Sequence, residues 1–181
     1  MKPRGLLMIE HRLIEKMLLV IEKECIEIRK KNSVNPVFID TAVDFIRTYA
    51  DRTHHGKEED ILFRELGRKN LKGGDKNLME ELIDDHKRAR KTTGELVEAK
   101  MRYVSGDIKA LDDILSHLTW LAEFYPHHIR KEDESFFPVT EKYFSEEELE
   151  TLLKEYNEFD RKMIHEKYGK LVTELQAHYS F

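Results

Sequence analysis

Apolar residues recur at three-to-four spacing along most of the chain, which is the pattern of amphipathic helices that share one core. Over about residues 5–31 the stripe is Leu6, Leu7, Ile9, Leu13, Ile14, Met17, Leu18 and Ile21, and it stops before Asn32-Ser33-Val34-Asn35-Pro36. A second helix is predicted from that proline to about Arg68, with Gly67 and the loop from Asn70 to Gly74 as its stop. The third covers about 76–104, with Asp75 as its N-cap and Ser105-Gly106-Asp107 as its end. A fourth occupies about 108–142, where Pro126 is expected to kink the helix and Pro138 to end or bend it again. Ser145-Glu146-Glu147-Glu148 reads as a capping box that opens a fifth helix running to about residue 178. Helices joined by short loops pack as antiparallel neighbours. The expected fold is therefore all-α: an up-down-up-down four-helix bundle over about 5–142 with an additional C-terminal helix, all in one domain.

Composition narrows the partners. Charged residues make up 37% of the 181, against only eight glycines and four prolines, as helices with solvated outer faces require. The net charge is −5 with acids and bases interleaved, so neither nucleic acid nor a membrane surface is an expected partner. The apolar run from Leu6 to Ile9 stops at Glu10, too short for a secretion signal or a membrane span, and a cytoplasmic protein is expected. The single cysteine, Cys25, excludes an internal disulfide and sits among Val20, Ile21, Ile26 and Ile28 as a small apolar residue.

Against this plain background one motif occurs twice. A histidine after an acidic residue, Glu10-His11 or Asp85-His86, is followed 43 or 42 positions later by a His-x-x-x-Glu pair, His54 and Glu58 or His128 and Glu132. His and Glu four apart on an α-helix project from one face and offer a nitrogen and a carboxylate to one metal. The midpoint of 11 and 54 is 32.5, that of 58 and 86 is 72, and that of 86 and 128 is 107; each falls in a predicted loop. In an antiparallel bundle all four helices thus bring these residues to one level. Leu7, Ile14 and Leu18 share the stripe of His11, Leu62 that of His54 and Glu58, Leu82 and Ile83 that of His86, and Leu121 and Phe124 that of His128. His11, His54, Glu58, His86, His128 and Glu132 therefore point into the core as a di-metal ligand set. His11 and His54 are expected at one half, His86 and His128 at the other, and both glutamates as bridges. Imidazole with carboxylate suits iron, manganese or zinc.

The segments Met8-Ile9-Glu10-His11, His54-His55-Gly56-Lys57-Glu58 through Phe63, Asp85-His86, and His128-Ile129-Arg130-Lys131-Glu132 through Phe136-Phe137-Pro138 resemble the hemerythrin-like, or HHE cation-binding, family over about residues 5–142. The resemblance implies two non-haem iron ions, oxo- or hydroxo-bridged, rather than manganese or zinc. It further implies a centre that handles oxygen, peroxide or nitric oxide, with an external electron donor, in a monomer or homodimer. The tails Glu58 to Phe63 and Glu132 to Phe137 align with each other, which selects His54 over His55 and His128 over His127. On an ideal helix His55 and His127 are rotated about 100° away, towards supporting or solvent-facing positions. Glu10 and Glu59 are candidates for an extra ligand.

Two departures bear on function. Oxygen carriers of the family place a second histidine one turn after the third-helix ligand, where this chain has Arg90, and an aspartate where it has Glu132. Six protein ligands leave positions open, which argues against reversible oxygen carriage and towards the members linked to nitrosative stress, iron–sulfur repair or iron-responsive regulation. The expectations are a di-iron protein that senses or reacts with oxygen, peroxide or nitric oxide, an enzyme that reduces peroxide or nitric oxide, or an iron-handling protein. His117, His165 and His178 are expected outside the centre.

Overall fold

The computed structural model describes residues 2–160 and 162–179, and no strand occurs among them. The first long helix is α1 (Pro3–Lys31), closed by Asn32 in the left-handed region at φ 51°. Asn35 caps the next helix by accepting from the Val37 N–H at 3.0 Å, with Pro36 in its first turn. That helix is α2 (Pro36–Phe45), and it continues through π-helical stretches at Ile46–His55 and Glu58–Phe63 into the short α3 (Arg64–Leu66). Then come α4 (Gly73–Val104) and α5 (Ala110–Lys131); after α5 a π-helical turn at Glu132–Phe136 leads into α6 (Phe137–Thr140). These segments form the four antiparallel arms of the expected bundle. No helix among the described residues is long and apolar enough to cross a membrane.

Two local expectations are corrected, the Asp75 cap and the single C-terminal helix. Asp75 does not cap α4, which begins at Gly73; its carboxylate accepts from the Tyr143 hydroxyl at 2.5 Å instead. Helix α5 runs through Pro126 without leaving the α-helical state, and the irregular winding falls at Glu132–Phe136. The C-terminal region is two helices, α7 (Glu146–Phe159) and α8 (Lys162–Tyr179), because Asp160 is extended at ψ 109°. The capping box at Ser145 and Glu148 is present as expected.

Two apolar layers fill the bundle. One holds Ile14, Ala50, Ala89, Tyr125 and, from α8, Tyr168 and Val172. The other holds Leu7, Ile61, Leu62, Leu82, Phe136, Phe137 and, from α7, Leu152 and Tyr156. A buried polar layer separates them, since His11 lies between Leu7 and Ile14, His86 between Leu82 and Ala89, and His128 between Tyr125 and Phe136. The apolar layers above and below supply the hydrophobic stabilisation that permits charged groups at this level.

Candidate metal centre

All six residues singled out in the sequence lie in that layer, each at most 2% exposed. His11, His54, Glu58 and Glu132 form one group with ligand atoms within 4.8 Å of one another, and His86 and His128 belong to a second. The two glutamates lie between them. Glu58 places Oε1 3.5 Å from His54 Nε2 and Oε2 3.4 Å from His86 Nε2. Glu132 places Oε2 3.2 Å from His11 Nε2 and Oε1 3.3 Å from His128 Nε2. Each carboxylate thus turns one oxygen towards each end of the cluster, the disposition a bridging ligand requires.

The second group has a third member, His55, which is 1% exposed and clusters with His86 and His128. Its ring stacks on that of His86 with centroids 3.8 Å apart. This corrects the expectation that His55 turns away from the core. The physical reason is the π-helical winding of Ile46–His55: on that wider turn, closed by i→i+5 hydrogen bonds, successive side chains diverge less than in an α-helix, so both histidines of the doublet enter the layer. His127, on the α-helical α5, is exposed as the simple periodicity predicts. A same-face carboxylate four residues earlier, Asp51, was the available sequence signal for His55; its Oδ1 stands 3.4 Å from His55 Nδ1.

The same arrangement recurs at every histidine. His11 Nδ1 donates to Asp133 Oδ1 at 2.7 Å, His54 Nδ1 to Glu10 Oε2 at 2.8 Å, and His86 Nδ1 to Glu59 Oε1 at 2.7 Å. Asp85 Oδ2 is 3.5 Å from His128 Nδ1, an ion-pair distance longer than a hydrogen bond. Glu10 and Glu59, expected as extra ligands, instead stand behind His54 and His86 and fix their tautomers with Nε2 free. A cation then backs each carboxylate: Arg12 on Asp133, Lys57 on Glu10, Lys131 on Asp85, and Arg90 on both Asp51 and Glu59, at 2.7 and 2.6 Å. Arg90 therefore stands outside the imidazoles and links the supports of His55 and His86. Aromatic rings close the layer against water, Phe137 stacking on His11, Phe63 on His86 and Phe124 on His128.

Burial pushes the Glu58 and Glu132 carboxyls well above the usual carboxylate range; the charge of Glu10 adds to this at Glu58, and the charge of Glu58 adds to it at Glu132. Burial likewise lowers His54, His55 and His86, and holds His128 down at about 4 against the opposing pull of Asp85. Burial also opposes ionisation of Asp85, but His128 and Lys131 outweigh it and hold that carboxyl at about 2. Glu10 is raised by burial to about 7 despite Lys57.

The test of a cation site is what these atoms have as partners. The Nε2 atoms of His11, His54, His86 and His128 and all four carboxylate oxygens of Glu58 and Glu132 are buried without a hydrogen bond. So many converging, unpaired lone pairs are costly in the chain alone and fit two cations held side by side. Imidazoles together with shared carboxylates suit transition-metal cations better than magnesium or calcium.

His55→Ala should therefore remove or loosen the ion at the three-imidazole end, leaving about one metal per chain. His127→Ala should leave the content unchanged. Metal analysis of both variants checks this, and two tightly held ions in His55→Ala would return His55 to a packing role.

Comparison with known proteins agrees with this geometry. The chain has no significant match among curated proteins or among solved structures. The profile of the hemerythrin HHE cation-binding domain matches it twice, over residues 3–106 and 77–179. The two placements begin 74 residues apart, the separation of His54 from His128 and of Glu58 from Glu132. With a helical bundle, a doubled His/Glu motif and a profile match that spans most of its length, the chain belongs to the hemerythrin HHE cation-binding family.

Proposed function

We propose that the centre holds two iron ions and reacts with oxygen, peroxide or nitric oxide. The observation that carries this reading is the asymmetry of the ligand layer: three imidazoles at one end, two at the other, and two carboxylates turned to both. A pair of iron ions in such a set supplies an exchangeable position and two coupled redox centres for a small oxidant. The residues do the rest. The carboxylates behind the five rings hold their orientation, the backing cations balance the local charge, and the aromatic rings keep bulk water from the layer.

His55 changes one expectation about reactivity. With Arg90 outside the imidazoles and His55 inside, the three-imidazole end is well supplied with donors, and the two-imidazole end formed by His11 and His54 is the place for an incoming molecule. The absence of a histidine at position 90 no longer argues against reversible binding, because His55 offers the fifth imidazole from another helix.

Anaerobically purified protein should contain two iron ions per chain. Exposure of its reduced form to air, peroxide or nitric oxide should produce new visible absorption assignable to a coupled iron pair. Zinc alone at one equivalent, or a reduced protein spectroscopically inert to all three, would overturn the proposal.

A further inference from the structure

Two bound cations would account for the unpaired nitrogens and oxygens of the ligand layer, but among the described residues one buried hydroxyl outside that set still has no partner. The Tyr156 hydroxyl is buried, its residue is 0% exposed, and no described residue hydrogen-bonds to it. Tyr49, Tyr143, Tyr168 and Tyr179 each bond through their hydroxyls. Asp160 and Glu141 leave one oxygen unpaired, but the other oxygen of each is bound, to Lys57 at 3.1 Å and Lys2 at 2.9 Å. Leaving a buried hydroxyl unpaired is costly, so its position calls for a partner that the described residues do not supply.

Its location identifies that partner. Tyr156 lies one turn before Phe159 and Asp160 on α7, and both of those meet the segment just before Glu58. A Cβ on Gly56 would stand 2.9 Å from the Phe159 ring, so the glycine admits α7 at close range. Asp160 pairs with Lys57, next to Glu58. Tyr156 itself packs in the layer that contains Leu7, one turn before His11, and Leu62, one turn after Glu58. Beyond the effect of burial, Glu58 and Glu10 are the charges its hydroxyl feels most. These contacts put Tyr156 on the side of the ligand layer where Glu58 and Glu10 meet His54.

We infer that Tyr156 is a hydrogen-bond donor to a small anion bound at the two-imidazole end of the centre. The inference rests on the di-iron reading above and gives α7 a purpose beyond packing: it closes that end of the bundle and delivers one neutral donor to it. A phenol suits this role, because a neutral O–H stabilises an anionic acceptor without adding a charge that competes with the metals.

Azide is a suitable probe, being a small anion whose binding to iron gives visible absorption. The iron-loaded chain and its Tyr156→Phe variant should both hold two coupled irons, while the variant binds azide about tenfold more weakly, the effect of one hydrogen bond. The azide stretch of the unsubstituted protein should shift in D2O and lose that shift in the variant. Equal affinity with an unchanged isotope effect would overturn the assignment. So would a visible band in the azide-free protein that disappears in Tyr156→Phe, since that would make the tyrosine a metal ligand. If the variant holds fewer than two irons, the isotope shift in the unsubstituted chain decides, and its absence overturns the inference. Failure of the unsubstituted chain to take up an iron pair is a separate result, which removes the di-iron reading and the inference with it.

Discussion

Alanine at Glu58 or at Glu132 will abolish the coupled metal pair and leave one ion or none per chain. Each carboxylate sends one oxygen to the His11 and His54 end and the other to the end with His86 and His128, at 3.2 to 3.5 Å for the closest nitrogens. Removing either side chain deletes a donor from both positions at once. Removal of an outer support costs about ten- to a hundredfold in affinity, so loss of a shared donor should exceed a hundredfold. Glu59→Gln is the matched control: that carboxylate supports His86 through Nδ1, and its loss should weaken binding within the smaller range without uncoupling the pair. Metal analysis and magnetic or Mössbauer spectra separate the cases. Two coupled ions retained in both alanine variants would show that neither glutamate bridges.

Lys57→Ala will destabilise the fold by about 3–5 kcal/mol, the usual cost of breaking one side of a buried ion pair. Lys57 is 0% exposed and its ammonium contacts Glu10, 1% exposed, and Asp160. Without it two carboxylates from separate helical segments face each other with His165 as the remaining nearby base. The damage should extend to the centre, because Glu10 orients His54. Adding Glu10→Gln and Asp160→Asn to Lys57→Met should recover much of the stability while leaving His54 poorly supported. Urea unfolding of the single and triple variants measures the first effect and metal affinity the second. A loss below about 1 kcal/mol for Lys57→Ala would mean that Glu10 and Asp160 tolerate each other without the lysine.

Helical periodicity, loop chemistry and the doubled His-x-x-x-Glu spacing determined the antiparallel bundle and brought six candidate ligands to one height. They could do so because along a regular α-helix both rotation and rise follow from residue number alone. His127 obeyed that arithmetic and is exposed. His55 did not, because the backbone around it winds as a π-helix, and the local sequence carries no simple sign of that change. The same holds for the pairing of carboxylates with imidazoles: Glu10, Asp85 and Asp133 neighbour ligands in sequence, yet each faces a histidine on another helix, His54, His128 and His11 respectively. Arg90 looked like the substitute for a ligand because its position was judged on one helix, whereas its partners Asp51 and Glu59 come from another. The break at Asp160 and the approach of Tyr156 to the centre were likewise tertiary outcomes, decided by the lysine and glycine against which the C-terminal helices pack. Sequence spacing therefore determined which residues share a level, while only the packed helices decided which atoms face one another, since distances between side chains on different helices depend on rotation and register that no single helix contains.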